Sequence, residues 1–212
     1  MTTCYKLTNQ NNTTYNNCLW GEDVTHETNG IGGLCGPGWL HAYQHPLIAV
    51  FLNPIHADIN NPKLWECIGD GKYRYDNGLK CGFTKLTTIR ELPLPEVTTE
   101  QRVAFGILCA KEVCKDTEWT VWADNWLSGT DRTSETAWAA ADVADLVART
   151  AQAASTAAWA AYWAADYAVG AADAVVWAAV DAARAAALAA DRADYKATDI
   201  DLVSLAQKAM KY

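Results

Sequence analysis

The segment Trp159-Ala-Ala-Tyr-Trp163-Ala-Ala-Asp166-Tyr-Ala-Val-Gly170-Ala-Ala-Asp173 lies at the centre of an alanine-rich run that divides the chain in two. From Ala137 to Asp194 about half the residues are alanine, with Gly170 the only glycine and no proline. Alanine has the best helix propensity, so the run reads as helix before any packing is considered. The larger or polar positions Trp138, Asp142, Asp145, Arg149, Gln152, Thr156, Trp159, Trp163, Asp166, Gly170, Asp173, Trp177, Asp181, Arg184, Leu188, Asp191 and Tyr195 keep one phase. Their steps are all three or four and average about 3.6, the α-helical period. An inserted loop would break that phase, so the spacing predicts one continuous helix, a rod of roughly 87 Å.

Small apolar residues fill the opposite side of that rod. Val143, Val147, Ala154, Ala158, Ala161, Ala165, Ala168, Ala172, Val176, Ala179, Ala183 and Ala190 form one stripe. Such a face lets a second helix approach closely. A lone rod leaves it wet, which makes these residues the candidate interface of a homo-oligomer; a free-standing or back-folded helix is the plainer alternative.

Outward from the run, the N-terminal part has the marks of a small mixed domain. Cys4-Tyr-Lys-Leu-Thr8 reads as a strand, followed by an Asn-rich turn and an extended piece near Cys18-Leu-Trp20. Ile31 to Gly38 is a shaped glycine- and proline-containing loop, and Trp39 to Tyr43 alternates like a strand. His45-Pro46 opens a helix through about Leu52, which Asn53-Pro54 is expected to stop. Strands are predicted over 64–69, 72–75 and 84–92, with Asp76-Asn77-Gly78 as a turn. Thr98-Thr-Glu-Gln101 has the form of a capping box for a helix to about Val113. A second helix over 116–127 carries Trp119, Trp122 and Trp126 at spacings of three and four, a stripe that reads as core. Thr198-Asp-Ile-Asp201 caps a last amphipathic helix. The expected fold class is therefore α+β. It comprises a head over 1–127 with a mainly antiparallel sheet and short helices, a long alanine-rich α-helix over 131–195, and a short amphipathic helix over 198–212.

Charge and cysteine usage narrow the function classes. The formal charge is −8. Ten Lys/Arg stand against eleven Asp/Glu through Lys115, and seven against fourteen after it. The acidic tail repels phosphate backbones, so nucleic acid is not an expected partner. Charges such as Asp142, Asp145, Arg149, Asp166 and Asp173 recur along the alanine run, which excludes it from a bilayer. The start Met1-Thr-Thr-Cys-Tyr-Lys6 has no basic region followed by an apolar run. Together with an odd number of cysteines, seven in all, this predicts reduced thiols and a cytoplasmic protein.

The densest chemistry lies in Cys35-Gly-Pro-Gly-Trp-Leu-His41-Ala-Tyr-Gln-His45. Paired short Cys spacings are absent, so no metal is expected. Nothing flanking Cys35 in sequence supplies a positive charge, which argues against a catalytic thiol. Gly30-Ile-Gly-Gly33 lacks the spacing of a nucleotide cofactor loop; no cofactor and no catalytic residue are expected. There remains a polar, aromatic rim. Trp39, His41, Tyr43 and His45 lead into a helix N-terminus at Pro46, where free amides and the helix dipole favour an anion. The plainer alternative makes His41 a hydrogen-bonded core residue.

Tyr5-Lys6, Cys35-Gly-Pro-Gly-Trp-Leu-His41-Ala42, His45-Pro46 and Arg90-Glu-Leu-Pro93 resemble a family of uncharacterised phage and bacterial proteins. Members carry a Cys-x-x-Gly-aromatic-x-His-Ala segment before an x-Pro helix, and phage members have alanine-rich tails closed by Thr-Asp-Ile-Asp-Leu, as at Thr198 to Leu202 here. The likeness covers the whole chain and brings no known activity with it. The preferred reading, by analogy with phage sponge proteins rather than from any residue, is a phage accessory protein acting in the host cytoplasm: a non-enzymatic oligomer that sequesters a small, nucleotide-like ligand such as a host immune signal. The Gly-aromatic-x-His-Ala strand and the helix after it are also similar to one element of ADP-ribosyltransferases, which implies an enzyme acting on a nicotinamide nucleotide. Those enzymes need a late catalytic glutamate, and neither Glu91 nor Glu96 sits in a matching motif. A structural rod with the head as a plug is the third class.

Overall fold

Period-two alternation and a turn at Gly78 fold the first part of the chain into antiparallel strands, seen here in a computed structural model that describes residues 1–76, 78–114, 116–150 and 200–212. Two compact units divide at Glu96. The division precedes two helices that the sequence reading keeps in the head to residue 127. Pro93 and Pro95 end the sheet there, and the chain beyond Glu96 packs helix on helix.

In the first unit, β1 (Thr2–Thr8), β6 (Lys63–Asp76), β7 (Lys80–Leu92), β4 (Val24–Glu27) and β5 (Leu40–Ala42) form a five-stranded sheet in the order β1-β6-β7-β4, with β5 also on β7. All these pairings are antiparallel. β2 (Thr13–Thr14) and β3 (Cys18–Leu19) form a separate small ribbon. The two strands expected over 64–69 and 72–75 are one long strand, β6, interrupted by a bulge between Asp70 and Tyr73. There the Lys72 amide turns to the Thr84 hydroxyl (2.9 Å) instead of the ladder, a device that twists a long hairpin without ending it.

β4 and β5 follow one another along the same edge of β7. Val24–Glu27 pair with Thr88–Lys85, and Leu40–Ala42 with Phe83–Cys81. They behave as one edge strand that leaves the sheet after Thr28 and rejoins it at Leu40. On the core side, Cys4, Trp20, Ala42, Trp65, Cys67, Cys81, Phe83 and Leu86 are buried together.

α1 (Pro46–His56) lies against β1 and buries Ile48, Ala49, Phe51 and Leu52 completely. It does not stop at Asn53-Pro54. Ala57 and Asp58 both donate to the Asn53 carbonyl (3.0 and 2.7 Å), and the Asn53 carboxamide exchanges bonds with the backbone of Ile59. These contacts close a last turn despite the proline.

In the second unit, α2 (Thr99–Val113) carries the full capping box of Thr98 and Gln101. α3 (Thr117–Ser128) is capped by Asp116 and buries Trp119, Trp122 and Trp126 against its neighbours α2 and α4. α4 (Ser134–Thr150) takes up the start of the alanine-rich run. α5 (Leu202–Ala209), capped by Asp201, lays Leu202, Leu205, Ala206 and Ala209 inward and packs on α2. Of the candidate oligomer stripe, Val143 and Val147 fall in α4. Ala154, Ala158, Ala161, Ala165, Ala168, Ala172, Val176, Ala179, Ala183 and Ala190 lie outside the described residues, as does the helix expected to run on to 195. Among the described residues no helix is long and apolar enough to cross a membrane.

Candidate functional site

The excursion between β4 and β5 is an Ω-shaped loop whose ends are stitched together. Thr28 donates its amide to Thr84 O (2.8 Å) and its hydroxyl to Gly38 O (2.8 Å), and the Gly30 amide also reaches Gly38 O (2.9 Å). A side chain at Gly38 would meet the Ile31 carbonyl oxygen at 2.1 Å. The glycine at this position lets the loop close on itself. A shallow depression of about 300 Å³ remains along it, lined by Thr28, Asn29, Ile31, Pro37 and Gly38.

Trp39 and His41 hold this loop down. Trp39 is buried and donates Nε1–H to Gly32 O (3.2 Å). Half-buried His41 donates Nε2–H to Leu34 O; the carbonyl only accepts, which places the ring proton on Nε2. Burial pushes the His41 pKa down, the Leu34 bond opposes that, and the charges of Lys6 and Lys80 lower it further. The ring is therefore neutral near pH 7. Opposite His41 in the ladder stands Gly82, over which Leu34 and Trp39 fit: a side chain there would lie 2.4 Å from Leu34 Cδ1. His41 is thus a staple between loop and sheet, close to the plainer of the two roles the sequence allows.

The hairpin of β6 and β7 delivers what the local sequence lacks. Its register sets Arg74 opposite Gly82 and Asp76 opposite Lys80. The Arg74 guanidinium lies 5.1 Å from the centroid of the Trp39 ring, a cation–π contact. Lys80 Nζ is 3.1 Å from Cys35 Sγ. No positive charge flanks Cys35 in sequence; the fold brings one from 45 residues away. Lys72 joins this side, its stem close to Gly30. Among the described residues none of Lys72, Arg74 and Lys80 has a carboxylate at ion-pair distance. On the other side of the hairpin end, exposed Tyr73 and Tyr75 stack with centroids 6.5 Å apart.

The other two candidates go elsewhere. Tyr43 is buried, exchanges backbone bonds with Tyr5 (2.7 and 2.8 Å) and stacks on the His56 ring of α1 at 6.0 Å. Burial raises its phenol pKa. His45 caps α1: its Nδ1 accepts the Leu47 amide at 3.2 Å. One of the amides expected to meet an anion is thus already taken, which moves the candidate site from the helix start to the loop side of the hairpin.

Sequence reasoning also missed Lys6. It is buried, donates from Nζ to His41 O (2.9 Å) and lies 4.5 Å over the Trp20 ring. Burial lowers its pKa, while the nearby thiols of Cys67, Cys18, Cys4 and Cys81 act in the opposite direction. Its place in the Cys4-x-Lys6-x-Thr8 alternation was the available signal, because both neighbours in that phase are fully buried. Comparison with protein-family models, curated proteins and solved structures finds no match to this chain.

Proposed function

We propose that this chain is a non-enzymatic, self-associating binder of a small anionic ligand, nucleotide-like in its chemistry, and that it serves as a phage accessory protein in the host cytoplasm. The observation that carries the reading is the group Lys72, Arg74 and Lys80 beside the Ω loop, three cations without a carboxylate partner among the described residues. Ordinary surface lysines are also unpaired, but these share a face with a shaped loop and an indole. A phosphate needs several cations converging on one face. Neutral His41 offers no strong base, and the catalytic glutamate of the enzyme alternative has no counterpart in a matching motif.

Self-association is the second half of the proposal and rests on the Ala/Val stripe. Several copies would multiply a modest pocket into a store. The experiment is incubation with a nucleotide panel, separation of protein from free ligand, denaturation, and analysis of the released compound. Intact release of a bound nucleotide supports sequestration. An altered product would turn the reading to an enzyme, and no binding would leave a structural rod.

A further inference from the structure

The seven cysteines occupy unlike surroundings. Cys4, Cys67, Cys81, Cys109 and Cys114 are buried, Cys18 is half-buried, and Cys35 is exposed. Cys35 differs from the rest in a second way: its sulfur receives the Lys80 ammonium at 3.1 Å. Lys80 has no carboxylate at ion-pair distance among the described residues, and neither do Lys72 and Arg74 on the same side of the hairpin. Asp76, opposite Lys80 in the ladder, is the acid of this hairpin end. An accessible thiol beside an ammonium, with further cations around it, has the layout of a site that meets a negatively charged, thiol-reactive molecule.

We propose that Cys35 is a modification site for anionic low-molecular-weight disulfides, with Lys80 as the residue that positions and assists the exchange. The Cys35 sulfur attacks one sulfur of the disulfide. A new S–S bond forms to Cys35 and the original S–S bond breaks. Cys35 gives up its proton to solvent before the attack, and the departing sulfur takes a proton from the Lys80 ammonium, which solvent restores, so Cys35 is oxidised and half of the incoming disulfide leaves as a free thiol. The attacking form is the thiolate, and the leaving sulfur carries negative charge as it departs. Lys80 faces both charges. Arg74 and Lys72 draw the carboxylates of the incoming molecule. The product persists as a mixed disulfide, because Cys81, the nearest cysteine in sequence to Lys80, faces the core and donates to Ala42 O (3.3 Å). The inference does not rest on the ligand reading, since exchange is followed without any nucleotide.

The test treats the folded full chain with oxidised glutathione, which is anionic, and with cystamine, which is cationic. Adducts are mapped by mass spectrometry, and each rate is divided by that of free cysteine with the same reagent. One adduct, on Cys35, is expected, with the normalised glutathione rate about tenfold above the cystamine rate at low salt and the gap closing as salt rises. Cys35→Ser should remove the adduct, and Lys80→Met should lower the glutathione rate about tenfold with unchanged melting. Adducts spread over Cys18 and the buried thiols would overturn the proposal. So would equal normalised rates for the two reagents in the unmodified chain, a readout that needs no variant to fold.

Discussion

Two lysines in the first unit each sit beside cysteines, and their surroundings make them opposites. Lys6 is inside, its ammonium held by the His41 carbonyl and the Trp20 face with four thiols nearby. Lys80 is at the surface, bonded to the exposed sulfur of Cys35. Inside, removal from water governs both partners: it lowers the Lys6 pKa and raises that of Cys81. Both are also buried away from reagents in solvent. At the surface the same two residue types remain accessible to each other and to solvent. The core lysine is part of the fold, whereas the rim lysine is available for chemistry.

The largest effect that would break this contrast comes from reversing the two charges. Lys6→Glu places a carboxylate against the His41 carbonyl in a buried site and should cost about 3 kcal/mol or more. Lys80→Glu, half-exposed, should change stability by about 0.5 kcal/mol or less. Chemical denaturation of both variants checks this, and equal losses would dissolve the distinction.

Alkaline titration gives the next effect. Burial pushes the Cys81 thiol up from 9.0 to about 12. A group whose folded pKa is raised stabilises fully below its unfolded pKa and loses that contribution as pH rises through the folded one. Stability should therefore fall between pH 9 and about 12, by about 1.4 kcal/mol per pH unit for each such proton. Burial of Cys109 and Tyr43 acts in the same direction. Lys6, with its pKa lowered, works oppositely below 10.5. Equilibrium unfolding across this range measures the sum, and Cys81→Ala should flatten the slope.

A smaller effect belongs to the loop staple. His41→Ala leaves the Leu34 carbonyl without its donor and should cost about 1 kcal/mol. Protease cleavage confined to 31–38 should quicken, while the sheet keeps its far-ultraviolet signal. A loss several times larger would place His41 in the core itself.

Local chemistry made much of this fold legible. The Thr98/Gln101 capping box, Pro46 at the start of α1 and the turn at Gly78 all act within a few residues, and each stands where the sequence puts it. The alternation of Cys4 to Thr8 placed β1. The features that escaped were non-local. The contact of Cys35 with Lys80, and of Trp39 with Arg74, depends on the register of β6 with β7 and on a loop leaving the sheet edge. No window of sequence contains both partners. Pro54 misled for a different reason: the bonds to Asn53 that close the last turn of α1 outweigh the amide that proline lacks.

The most direct test of the central claim, that the cationic side of the β6–β7 hairpin receives a small anionic ligand, is calorimetric binding of the nucleotide that the panel selects. The unmodified chain and a Lys72→Glu/Arg74→Glu variant are compared, with melting temperatures recorded alongside. Both residues are exposed and without ion-pair partners among the described residues, so melting should fall by no more than about 4 °C, the loss of the Arg74 contact with the Trp39 ring included. The account predicts that affinity falls at least about a hundredfold, since two charge-assisted contacts become repulsive. Unchanged affinity with unchanged melting would contradict it and move any ligand site away from the hairpin.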